Sequence, residues 1–168
     1  MWITYCSMIF QLSQEKLEII QNCLDSTPTA TEEQMTEIEK VVRAYADNFA
    51  KIDEAEYYPT DNKKLNTILS ESLGVNLKDP ITIHRMTYYE GGMVPEHKDM
   101  NSLHTYVIML EDDFEGGEFY LRGEQLDFNK KGQVAYYMGM DAPHSVSEIT
   151  KGIRKVLVVW YGMETTLV

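Results

Sequence analysis

The chain has 168 residues, enough for one domain with a sizeable core. A hydrophobic content of 43% excludes a disordered chain. A formal net charge of -12 works against broad nucleic-acid binding and suits a basic partner.

The N-terminal residues carry no basic segment and no long apolar run, so no signal peptide is expected. No stretch approaches the roughly 18 apolar residues that a membrane-spanning helix needs. The two cysteines, Cys6 and Cys23, form neither a disulfide framework nor a zinc-ligand spacing. Both are expected reduced, in a cytoplasmic setting.

Residues 14–24 place Leu17, Ile20 and Leu24 at helical spacing behind Ser13, which predicts a capped helix. Thr31-Glu32-Glu33-Gln34 has the residue types of a capping box. Behind it Met35, Ile38, Val42, Tyr45 and Phe49 form an apolar stripe, read as core packing. A third helix is expected over residues 64–73, stopped by Gly74.

After Pro80 the texture changes. ITIHRMTYY, TYVIML, EFYL, QVAYY and IRKVLVVWY read as short strands, with Gly116-Gly117 as a tight hairpin turn. Helices followed by strands predict an α+β chain. Its strand half fits a sandwich, a barrel or a jelly roll.

His97 and Asp99 are separated by Lys98. In extended chain both side chains point the same way. Two histidines and one carboxylate on one face form the ligand set of non-haem Fe(II) oxygenases. The pair alone is weak evidence, a solvated loop being the alternative for His97, so a second histidine is required from His84, His104 and His144. His144 stands at the head of an expected strand. Arg154 shares a strand face with Val156, Val158 and Trp160. A guanidinium among apolar groups needs a partner, and its planar fork suits a carboxylate; the alternative is an arginine that snorkels out from a strand end.

These residues fall into an ordered pattern. Residues 81–161 resemble the Fe(II)- and 2-oxoglutarate-dependent dioxygenases, most closely their prolyl 4-hydroxylase-like branch. His97, Asp99 and His144 match the family's HxD…H motif. Arg154 falls where the family's cosubstrate-binding basic residue lies, and Tyr88-Tyr89-Glu90-Gly91 matches its Tyr-x-x-Gly segment. Residues 110–118 resemble its L-x-x-x-F-x-G-G-E stretch. Val94 departs from the aromatic residue that many relatives carry three positions before the first metal histidine, and Arg154 stands where some have lysine. Lys155 is expected to face away from the site.

The resemblance implies a double-stranded β-helix (jelly-roll) core over residues 80–168, with residues 1–79 as mainly helical support, in a single domain. It implies Fe(II) on His97, Asp99 and His144, with the far carboxylate of 2-oxoglutarate on Arg154 and a hydrogen bond from Tyr88. O2 is the oxidant, with ascorbate as an additional candidate; succinate and CO2 leave as a C–H bond is hydroxylated. Asp99 occupies the position that is a small residue in related halogenases, so hydroxylation or demethylation is expected. A prolyl residue in a peptide or protein is the first candidate substrate. Another side chain, a free amino acid or a small metabolite are alternatives, and acidity disfavours nucleobases.

Thr105, Val107 and Met109 are expected to line the pocket, while Trp160 is read as core or pocket wall. His84 and His104 are read as structural. Tyr57 and Tyr58, in the acidic stretch 54–61, correspond to a substrate lid in relatives or to an ordinary solvated loop. The rival classes are a non-catalytic metal-binding jelly roll and a cupin-like enzyme that uses no 2-oxoglutarate. A binding-only module has no use for a carboxylate clamp at Arg154 and Tyr88.

Overall fold

A computed structural model describes residues 7–75 and 79–162. The first of its strands, β1 (Met8–Gln11), precedes helix α1 (Gln14–Ser26). Helix α2 (Glu37–Phe49), strand β2 (Glu54–Tyr57) and helix α3 (Lys63–Leu73) follow. The remainder is strand: β3 (Thr82–Tyr88), β4 (Val94–His97), β5 (His104–Glu111), β6 (Phe114–Gly116) and β7 (Phe119–Leu121). After these come β8 (Glu124–Leu126), β9 (Gln133–Tyr137), β10 (His144–Val146), β11 (Ile149–Gly152) and β12 (Arg154–Tyr161).

The major sheet has six antiparallel strands in the order β1-β9-β5-β12-β3-β2, and the minor sheet runs β4-β10-β7-β8. A short pair, β11-β6, completes an α+β jelly-roll arrangement.

Period-two alternation sorts the major sheet into two faces. Ile83, Tyr106, Ile108, Val134, Leu157 and Val159 pack against Leu17, Ile20 and Leu24 of α1 and Leu65, Leu69 and Leu73 of α3. Each buried aliphatic side chain of this kind contributes roughly 1.5–3 kcal/mol. The opposite face meets the minor sheet through Met86, Val107 and Val156 against Val94, Phe119 and Val146. That inner face is where the site lies.

The helix ends follow local chemistry. Ser13 Oγ accepts the Lys16 N–H at 3.2 Å, and Asn62 Oδ1 accepts the Leu65 N–H at 3.0 Å. The capping box lies one turn later than expected. Thr36 Oγ1 accepts the Glu39 N–H and the Glu39 carboxylate accepts the Thr36 N–H. Thr31 and Gln34 close an isolated turn before it, the Gln34 side chain accepting the Thr31 N–H.

Three further expectations change. The mainly helical segment 1–79 also supplies β1 and β2, each too short for its alternation to stand out. Gly116-Gly117 is not a hairpin: β6 pairs with β11, whereas β7 pairs with β10 and β8. The two glycines pass the chain between sheets with φ of 74° and 61°. A Cβ on Gly116 would lie 2.2 Å from the Glu148 carbonyl oxygen, so the crossing also demands their small size.

Tyr57 and Tyr58 form no lid. β2 pairs with β3 along its length, placing Tyr57 opposite His84, and the Tyr58 N–H donates to Ile83 O. Tyr58 is 1% exposed within the helix-side core. Two large aromatic rings at a strand end are more stable buried than waving in solvent. Cys23 is buried with a free thiol, and Cys6 lies outside the described residues.

Glu39 is buried, and among the described residues its Oε1 has no hydrogen-bond partner. Burial pushes its carboxyl up to about 7, against the opposing hydrogen bond from the Thr36 amide. A raised acid favours the folded state while protonated. That contribution is complete below the ordinary carboxyl range and lost as pH rises through about 7. Glu39→Gln, which keeps the cap acceptor, is therefore expected to stabilise the protein at pH 8 by about 1–3 kcal/mol and to have little effect at pH 4. Urea denaturation at the two pH values checks this.

Candidate metal centre

Strand β4 ends on His97 and strand β10 begins on His144, and the antiparallel pairing of β4 with β10 makes these two residues direct cross-strand partners. Their ring centroids lie 4.3 Å apart. Asp99 follows in the loop after β4, where its N–H donates to Gly139 O at 2.8 Å. Asp99 Oδ1 sits 3.4 Å from His97 Nε2 and 3.1 Å from His144 Nε2. One ligand atom from each residue lies within 4.8 Å of the others.

The supporting contacts fix which nitrogens face inward. His97 Nδ1 is 2.9 Å from Pro95 O and His144 Nδ1 is 2.8 Å from Ala142 O. A carbonyl only accepts, so each Nδ1 carries the hydrogen and each Nε2 offers its lone pair to the centre. The Thr105 hydroxyl donates to Asp99 Oδ2 at 2.8 Å, and Ser102 Oγ lies 2.8 Å from Thr105 Oγ1. Burial works to raise the Asp99 carboxyl, but His144 and His97 outweigh it and hold Asp99 below the usual range. Burial likewise opposes charge on His97, yet the Asp99 carboxylate prevails and raises it. Two imidazoles and one carboxylate fit Fe(II), and also Mn, Co, Ni or Zn.

Thr105→Val removes the hydroxyl that orients Asp99. Metal affinity is expected to fall about 10- to 100-fold with the fold retained. Competition against a chromogenic chelator measures it, and an unchanged affinity would remove Thr105 from the site.

Arg154 opens β12 as the cross-strand partner of Tyr88 on β3. Its guanidinium carbon is 5.2 Å from the Tyr88 ring centroid. Arg154 is 1% exposed, and among the described residues its Nε has no hydrogen-bond partner and no carboxylate pairs with it. Arg85, on the other face of the same sheet, has the Glu56 carboxylate at 2.6 Å. Burial lowers the Arg154 pKa, with the Tyr88 and Tyr137 hydroxyls opposing. A buried planar guanidinium has the charge and the donor geometry to hold a carboxylate.

Arg154 and the triad open into one cavity of about 190 Å³. Val107 and Trp160 line it, and so does Val94. Thr105 instead stands behind Asp99, and Met109 is enclosed in the inter-sheet core, so neither lines the cavity. His84 lines the cavity too, edge-on to Trp160 at 5.8 Å; burial pushes its imidazole down to about 4, so it is neutral. His104 lies apart, with Nδ1 2.8 Å from the Tyr136 hydroxyl.

Gly139 is a contributor that sequence reading misses. A Cβ there would lie 2.3 Å from Thr105 Oγ1 and 2.7 Å from Asp99 Oδ2. Its signal, a glycine five residues before His144, has no meaning until the loop is seen folded against Asp99. The apolar stripe of α2 does more than pack the core. Met35 is buried and Val42 and Tyr45 pack against the inter-sheet core, while Ile38, Val42 and Tyr45 also line the cavity.

No protein-family model and no curated protein matches the sequence. Solved structures do match the fold. A viral collagen prolyl hydroxylase from Paramecium bursaria Chlorella virus-1, in complex with 2-oxoglutarate, aligns at TM-score 0.63 and 12% identity over 99% of this chain and 98% of that one. A prolyl-4-hydroxylase of Pseudomonas putida aligns at 0.58 and 13% identity over 95% and 93%. A Trichoplax adhaerens prolyl hydroxylase bound to a peptide fragment of the hypoxia inducible factor oxygen degradation domain aligns at 0.59 and 13% identity over 96% and 85%. The chain thus has the jelly-roll fold seen in 2-oxoglutarate–Fe(II) oxygenase structures, and prolyl hydroxylase structures are among those it resembles.

Proposed function

We propose that the protein is an Fe(II)- and 2-oxoglutarate-dependent dioxygenase that hydroxylates a C–H bond in a peptide or protein, a prolyl residue being the first candidate. One observation carries this reading: the buried Arg154, which no carboxylate among the described residues pairs, opens into the same cavity as His97, Asp99 and His144. A metal store or an interaction module needs the triad but not the cation. The whole chain is taken as a single domain acting in the cytoplasm. Among the described residues no helix is long and apolar enough to cross a membrane.

His97, Asp99 and His144 would hold the iron, and Arg154 with Tyr88 would hold the distal carboxylate of 2-oxoglutarate. Bound iron, 2-oxoglutarate and O2 supply the oxidising chemistry, with succinate and CO2 as products. The chain's own residues do the positioning. Thr105 and Ser102 keep Asp99 in place, while the two carbonyl-anchored imidazoles keep their tautomers. Met86, Val107, Val156 and Tyr137 give the cavity apolar walls that exclude water.

The peptide substrate is supported by the Trichoplax and viral structures, one described with a bound peptide and the other as a collagen prolyl hydroxylase. The net charge of -12 favours a basic peptide. The test is incubation of the iron-loaded protein with 2-oxoglutarate, O2 and peptide pools, reading succinate together with a peptide mass gain of one oxygen atom. Iron-bound protein that forms no succinate with any pool contradicts the reading.

A further inference from the structure

We infer that the apolar face of α2 is the wall against which the substrate docks, and that Tyr45 positions the substrate beside the metal ligands. The substrate is an extended peptide with apolar side chains flanking the residue to be oxidised. This rests on the oxygenase reading above and specifies its substrate.

A helix on a globular domain normally buries its apolar stripe and shows its charged face to water. Helix α2 covers its apolar stripe only in part. Its fully packed residues are Glu39 and Ala46, and Glu39 is a carboxylate. Ile38, Val42 and Tyr45 are only half-buried, while Val41 and Phe49 are 45% and 68% exposed. The uncovered face is not scattered over the surface. Ile38, Val41, Val42 and Tyr45 line the cavity that holds the triad.

The stripe leads directly to the metal ligands. The Phe49 and Tyr45 rings are 5.3 Å apart, and the Tyr45 and His97 rings are 5.2 Å apart. Met100, 55% exposed and next to Asp99 in the chain, lines the same cavity. Together they form an apolar trough from the surface to His97. Uncovered apolar surface continuous with a site marks what the site binds.

The length of the trough identifies the occupant. From Ile38 to Phe49 the helix rises about 16 Å at ~1.5 Å per residue. An extended peptide covers that span with about five residues at ~3.3 Å each, whereas a free amino acid or small metabolite would leave most of it bare. Apolar side chains on both sides of the reacting residue would cover it.

The test uses two pools of nine-residue peptides with a fully randomised central position. One pool is flanked by Leu, Val, Ile, Phe and Met, the other by the uncharged Ser, Thr, Asn and Gln. Wild type, Tyr45→Ala, Tyr45→Phe and Val42→Asp are compared. Each protein is first checked for the visible charge-transfer band of anaerobic Fe(II) and 2-oxoglutarate, which none of these changes should abolish. Succinate release should be at least about tenfold greater with the apolar pool. Tyr45→Ala and Val42→Asp should raise KM about tenfold with a smaller change in kcat, and Tyr45→Phe should restore it.

Band-positive wild type that releases as much succinate with the polar pool, or none with either, overturns the inference. So does an unchanged KM in both Tyr45→Ala and Val42→Asp. A wild type without the band instead overturns the oxygenase reading on which the inference stands.

Discussion

Replacing Arg154 by leucine is expected to weaken 2-oxoglutarate binding by at least about a hundredfold while making the cosubstrate-free protein more stable. Both effects come from one fact: Arg154 is a 1% exposed cation with no carboxylate partner among the described residues. Removing one member of a buried charge pair costs about 3–5 kcal/mol, and each ~1.4 kcal/mol is a factor of ten in affinity. Without a bound carboxylate the guanidinium is desolvated, and among the described residues its Nε has no hydrogen-bond partner. Leucine there should stabilise the cosubstrate-free fold by roughly 1–3 kcal/mol. An arginine that merely braced the two strands would show the opposite sign. Arg154→Lys keeps the charge but loses the planar fork, so it should bind 2-oxoglutarate with intermediate affinity. Calorimetric titration of the metal-substituted protein reads the affinity, and urea denaturation without 2-oxoglutarate reads the stability. Unchanged affinity, or a less stable leucine variant, contradicts this role.

The second large effect is expected at a residue with no functional side chain. Gly139→Ala should lower metal affinity about a hundredfold, close to the loss from Asp99→Ala, in a protein that still folds. The added methyl meets Thr105 Oγ1 at 2.3 Å and Asp99 Oδ2 at 2.7 Å. Neither can remain in place, so the carboxylate turns away from the two imidazoles. The Gly139 carbonyl also accepts the Asp99 N–H, which ties the loop to the ligand through backbone. Chelator competition, with circular dichroism to verify folding, measures the effect. Wild-type affinity in Gly139→Ala would mean that the loop yields and that Asp99 is not held from behind.

The site was legible where chemistry lies in local spacing. His97 and Asp99 share a face because they are two apart at a strand end, and Arg154 alternates with Val156, Val158 and Trp160 on β12. Helices α1 and α3 were legible from their caps and stripes. What escaped depends on contacts distant in sequence. Nothing near Tyr58 says that Ile83 will take its N–H, so a buried strand end looks like a mobile loop. The Gly116-Gly117 turn looks like a hairpin until β6 and β7 are seen in different sheets. The α2 stripe has the periodicity of a core helix. Periodicity shows that a face is apolar, and only the fold shows that it looks onto a cavity. Thr105 reads as one more alternating residue on β5, and its bond to Asp99 requires the loop after β4 to fold back over that strand.

The most direct test of the account is anaerobic titration of the metal-free protein with Fe(II) and 2-oxoglutarate, followed through the visible charge-transfer band of the iron-bound keto acid. The band should appear in the wild type, weaken strongly in Arg154→Leu and vanish in His144→Ala. Iron bound by the wild type with no band on saturating 2-oxoglutarate would contradict it, and would leave a jelly roll that holds metal without a cosubstrate.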